Sequence, residues 1–162
     1  MLAFVVKALL ALLLAACAPT SYGVTFQGDD PRALSQAVSE DLAAWDNTVG
    51  YRHPGIELRL SGEGAIPRGG ITVMGETRWS GEWRSIEIDL DAVRTSGLDP
   101  RAALRHVMWH ELVHAHLCTD VHNPDPAHLM AYLVTPKNLY APIGPDTVAA
   151  VWATLEASRF PR

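Results

Sequence analysis

The chain has 162 residues, a formal net charge of -5, 48% hydrophobic and 19% charged residues, and two cysteines. That length suits one domain with a core of its own, and the composition excludes a disordered acidic tail or a fibrous protein. The acidic balance argues against nucleic acid as a partner, because phosphates require a basic face.

Residues 1–16 hold one charged side chain, Lys7, followed by an apolar run from Ala8 to Ala16. The run is too short to span a bilayer and long enough for the core of a signal peptide. It closes on Leu14-Ala15-Ala16-Cys17, which resembles the bacterial lipobox. That resemblance implies cleavage before Cys17, lipid on its sulfur, and a membrane anchor at the cell envelope, facing the periplasm or the exterior. Residues 17–28 then read as a tether, and 29–162 as one domain. Cys118 is left as the single free thiol, so no intramolecular disulfide is expected.

The domain opens with Asp29-Asp30-Pro31, an acidic cap followed by proline at the first helical position. Leu34, Ala37, Val38, Leu42 and Trp45 recur at helical spacing behind it. Ile56, Leu58 and Leu60 alternate with polar residues and predict a half-buried strand. A loop is expected over Gly62–Gly70. A second strand opens at Ile71 and Val73, and a third carries Ile86, Ile88 and Leu90, with a turn at Ser80-Gly81. Trp79 and Trp83 flank that turn and suggest a cross-strand aromatic pair. Asp99-Pro100 repeats the helix-start signal. Ala103, Leu104, Val107, Met108, Leu112 and Ala115 form the buried stripe of a helix of about five turns. Cys118–Pro145 is expected to be irregular, and Asp146 to cap a last helix with Val148, Val151, Trp152 and Leu155 turned inward. The predicted class is α+β, with a small mixed sheet, an N-terminal helix, a long central helix and a C-terminal helix.

Six of the seven histidines fall between His106 and His128. Among them stands His110-Glu111-Leu112-Val113-His114, on the predicted central helix. Histidines four apart lie about 40° apart around a helix and about 6 Å apart along it, so their rings can converge on one tetrahedral Zn²⁺. Glu111 leans to the side where an activated water would sit, as a general base must.

Read on to Asp120, the segment His110-Glu111-Leu112-Val113-His114-Ala115-His116-Leu117-Cys118-Thr119-Asp120 resembles the extended motif of metzincin-clan zinc proteases. Its Asp ending matches the snapalysin branch. Asp125-Pro126-Ala127-His128-Leu129-Met130-Ala131-Tyr132 is similar to the clan's Met-turn, above all in its matrixin form. The resemblance implies a zincin domain that hydrolyses peptide or protein substrates. It implies His110, His114 and Asp120 as zinc ligands, Glu111 as catalytic base, Met130 as the Met-turn residue beneath the metal, and Tyr132 as a hydrogen-bond donor to the oxyanion. His122 is the rival third ligand, since it precedes Met130 by eight residues as the matrixin ligand does, and Cys118 is a further candidate. The clan's turn glycine is Leu117 here. A left-handed bend at leucine is costly, which leaves open a helix that runs on past it. His106, His116 and His128 are expected at the surface or outside the coordination sphere. A monomer is expected. A non-catalytic zinc-binding lipoprotein on the same scaffold is the alternative function.

Overall fold

The computed structural model describes residues 22–27, 31–51, 55–62, 66–68 and 71–159. Cys17 with its lipobox and the Asp29-Asp30 cap lie outside them. In chain order the elements are β1 (Gly23–Gln27), α1 (Pro31–Val49), β2 (Ile56–Ser61), β3 (Ile66–Arg68), β4 (Ile71–Val73), β5 (Gly75–Ser80), β6 (Trp83–Asp89), α2 (Leu90–Thr95), α3 (Pro100–Leu117) and α4 (Pro145–Arg159). The domain is α+β, as expected.

Four strands form the main sheet in the order β1-β2-β6-β5. β1, β2 and β6 run parallel, and β5 returns antiparallel along β6 as an edge strand. Leu58 pairs with Ile86 and Leu60 with Ile88, so the apolar side chains of both strands share one face. All four are buried against the helices. The opposite face carries Glu57, Arg59 and Glu87, none of them fully buried. This is the pattern of a sheet covered on one side.

Several expectations change, and Leu90, expected in the third strand, instead opens α2. Residues 23–27, assigned to the tether, form β1 and extend the sheet beside β2, Val24 opposite Leu58 and Phe26 opposite Leu60. The signal was present in Tyr22, Val24 and Phe26, which alternate as a half-buried strand should. The Gly62–Gly70 loop contains β3, which pairs with β4 in a separate two-stranded ribbon. The tryptophans are not cross-strand partners: the register sets Trp79 opposite Arg84 and Trp83 opposite Ser80, on opposite faces.

α3 is the centre of the domain. Asp99 caps it by accepting the Ala102 amide at 2.7 Å, and Pro100 takes the first turn. The predicted stripe from Ala103 to Ala115 is buried in full. Most of the rest of the helix is buried as well, apart from the side carrying Arg101, Arg105 and Trp109, because α3 crosses the sheet at β5 and β6 while α1, α2 and α4 pack on it. Trp109 donates to the Asp41 carbonyl and Arg101 pairs with the Asp41 carboxylate, joining α3 to α1. α4 begins at Pro145, so Asp146 lies inside the first turn rather than capping it, where its charge still favours the helix dipole.

Candidate metal centre

Two side chains of the centre come from one turn of α3. His110 Nδ1 lies 2.9 Å from the Leu129 carbonyl, and His114 Nδ1 lies 2.6 Å from the Thr119 carbonyl. A carbonyl only accepts, so each Nδ1 carries the ring proton and each Nε2 presents a lone pair. The two Nε2 atoms stand 3.0 Å apart. Two lone pairs at that distance repel, and a cation between them removes the repulsion. Metal–nitrogen bonds of about 2.0–2.1 Å in tetrahedral geometry set two ligand nitrogens about 3.3 Å apart, close to what is seen.

Burial keeps both rings in the ligand form. Desolvation pushes His110 down to about 3, against the opposing hydrogen bond to Leu129. It lowers His114 as well, against the hydrogen bond to Thr119 and the nearby charge of Asp120. Near pH 7 both are neutral imidazoles, the form a metal binds.

His122 completes the group. Its ring lies 5.1 Å from that of His110 and 4.8 Å from that of His114, centroid to centroid. Ligand atoms of His110, His114 and His122 all lie within 4.8 Å of one another. Asp120, the expected third ligand, lines the same cleft but is not a member of that group. The turn after α3 accounts for the difference. The helix does not run on past Leu117: it stops there, and Cys118 takes the left-handed conformation at φ 48° and ψ 49°. The sharp bend therefore falls one residue later than the resemblance placed it. The Asn123 amide then donates to the Met130 carbonyl at 2.7 Å, tying the residue after His122 to the segment around Met130.

Cys118 is engaged elsewhere. Arg84 Nη2 lies 3.1 Å from its Sγ, while Arg84 Nε donates to the Ala115 carbonyl at 2.8 Å. That carbonyl is one of the acceptors a helix end leaves over. His116 and His106 are not at the surface. His116 is buried between α3 and α1, its ring 5.3 Å from that of Trp45, and its Nδ1 donates to the Leu112 carbonyl at 2.7 Å. His106 is buried one turn before His110, and desolvation lowers it to about 4. The His128 ring accepts the Met130 amide at 3.0 Å and so braces the chain before Met130. Met130 itself is buried in the core.

The three imidazoles open on a cleft of about 440 Å³. β5 and Met74 line one side, and Ala131, Tyr132, Leu133 and Val134 the other. Glu111 reaches the same cleft from α3 although the residue is only 6% exposed. Tyr132 stands at the rim, 68% exposed, its ring 5.1 Å from that of His122. Three convergent imidazoles, a buried carboxylate and an accessible cavity can hold a divalent cation and present it to a ligand from solution. No helix among the described residues is long and apolar enough to cross a membrane. No known family model matches the chain, and no curated protein matches it.

Proposed function

We propose that this chain is a zinc-dependent endopeptidase of metzincin-like build, held at a bacterial cell envelope by lipid on Cys17. The observation that carries the reading is the set of three convergent imidazoles in an open cleft, with Glu111 beside them. His110, His114 and His122 would hold the ion. Nitrogen ligands suit Zn²⁺, and three protein ligands leave a position open for substrate or water. A bound Zn²⁺ supplies a Lewis acid for the scissile carbonyl and eases ionisation of the attacking water.

The remaining roles belong to the chain. Glu111 takes the proton of the attacking water and passes it to the leaving amine. The Tyr132 hydroxyl, carried on the cleft rim, donates to the developing oxyanion. Asp120 stays a wall residue. β5 offers the edge along which an extended peptide adds as a further strand.

Glu111→Gln tests this reading, since it keeps size and hydrogen bonding and removes basicity. The variant should retain its zinc and its fold and lose cleavage of fluorescein-labelled casein by about 100-fold or more. A zinc-loaded wild type that cleaves neither casein nor a diverse peptide library overturns the enzyme and leaves a zinc-binding scaffold.

A further inference from the structure

Glu111 is the one acidic side chain on α3 that faces the cleft, and it has three side-chain torsions to fix before it can act as a base. The strand opposite it is fitted to do so. The Thr77 hydroxyl lies 2.7 Å from Glu111 Oε2 and 3.0 Å from the Glu111 carbonyl oxygen. A hydroxyl has one proton to give, and the charged acceptor at the shorter distance takes it. Two residues earlier on the same face of β5, Gly75 leaves a notch. A Cβ built there would lie 2.8 Å from Glu111 Cγ, 2.9 Å from Oε1 and 2.7 Å from Val107 Cγ1. No β-carbon is tolerated at such distances, and Val107 belongs to the packed core, so the carboxylate would have to move.

We infer that Thr77 and Gly75 are positioning residues for the Glu111 carboxylate: the glycine makes room for its stem, and the threonine hydroxyl clamps one of its oxygens. β5 thereby couples two tasks, because the strand at the cleft edge also sets the orientation of the base. A base held by a third group loses little freedom on reaching the transition state, whereas a carboxylate misplaced by about 1 Å costs about 100-fold in rate. Threonine suits this place twice over, since its branched Cβ fits a strand and its hydroxyl serves the clamp.

The consequence for turnover rests on the hydrolase reading above, whereas the placement of Glu111 does not. Two measurements separate them, both on the full chain purified in detergent. In the first, Thr77→Val should lower kcat on fluorescein-labelled casein by about 10-fold to 100-fold, with KM and zinc content unchanged. Thr77→Ser should restore most of the loss, and Gly75→Ala should lower kcat as Thr77→Val does. Wild-type kcat in Thr77→Val, or a loss in Thr77→Ser as deep as in Thr77→Val, overturns the clamp. The second measurement needs no activity: the ¹³C resonance of the Glu111 side-chain carboxyl in the zinc-free chain, assigned by its disappearance in Glu111→Gln. Thr77→Val should shift it and Thr77→Ser should leave it in place. A resonance unmoved in Thr77→Val overturns the proposal whether or not the chain cleaves casein. A shifted resonance in a chain that cleaves nothing upholds the clamp and removes the hydrolase reading alone.

Discussion

The centre is assembled from two unlike halves. One is a turn of α3, where His110, Glu111 and His114 are buried and each is fixed by a partner from another segment. The other is the loop after α3, where Asp120, Val121 and Tyr132 stand in solvent and order comes from the loop's own hydrogen bonds, such as Asn123 to Met130 and Met130 to the His128 ring. A helix fixes side chains to one another by its own pitch, so a spacing of four residues is enough to specify geometry. A loop fixes them only through where it turns and what it touches. The ligands from the helix half should therefore be the costly ones to remove, and the loop half should be where substitutions are graded.

The largest effect is expected in the helix half. His110→Ala or His114→Ala leaves two protein ligands, and near-complete loss of bound zinc should follow in metal analysis of the purified protein. Near-stoichiometric zinc in either variant would break the comparison at its stronger side.

The loop half is sharpened by one pair of variants. His122→Ala should weaken zinc by well over 100-fold in a competitive chelator titration, as loss of a ligand does. Asp120→Ala removes only a neighbouring charge, and should cost about 10-fold or less. The reverse order would return Asp120 to the coordination sphere, as the resemblance implied.

Legibility in the sequence divides along the same line. The Asp99-Pro100 start, the buried stripe and the His110–His114 spacing follow from a period of 3.6 residues, and all three stand in the structure as read. The third member of the group did not follow, because it depends on the residue at which the chain leaves the helix. Only the left-handed Cys118 decides that, and nothing in Leu117-Cys118-Thr119 announces it. Arg84 and Thr77 were equally silent: each acts on α3 from more than thirty residues away, through contacts that no local pattern encodes. The burial of His116 depends on Trp45 and Tyr51, brought to it by α1 and the turn behind it. β1 is different, since its alternation was legible and its nearness to the lipobox concealed it.

A smaller effect is expected from pH, again on the helix side. Burial holds His106 at about 4 and His110 at about 3, against about 6.5 in an unfolded chain. Between those values the unfolded state binds more protons than the native state, so stability rises with pH there. The contribution is complete above about pH 6.5 and fades as pH falls toward the native values. Between pH 7.5 and pH 5 each ring should cost the zinc-free chain about 2 kcal/mol. Thermal unfolding of zinc-free protein at pH 7.5 and pH 5 measures the sum, and His106→Phe should remove its own share and leave that of His110. Equal midpoints at both pH values would mean that the rings are already solvated without metal.

The smallest effect lies at the junction of the two halves. Cys118 pays about 1–2 kcal/mol for a left-handed conformation that glycine adopts freely. Arg84 offsets this, closing the open Ala115 carbonyl, resting on the Cys118 sulfur and placing a cation at the helix C-terminus. Arg84→Met keeps much of the apolar stem and removes the clamp, so it should destabilise the chain by about 1–2 kcal/mol. Zinc affinity should follow weakly, because His122 lies four residues beyond the turn and is held separately through Asn123. Cys118→Gly relieves the backbone while loosening the unfolded chain, so the two changes nearly cancel and stability should move by less than about 1 kcal/mol. The double variant discriminates between the roles of the two side chains. If Arg84 holds the turn against the strain at Cys118, Arg84→Met should cost less in the glycine background than in wild type. Equal cost in both would mean that Arg84 serves the helix end alone, and that the loop finds its course without it.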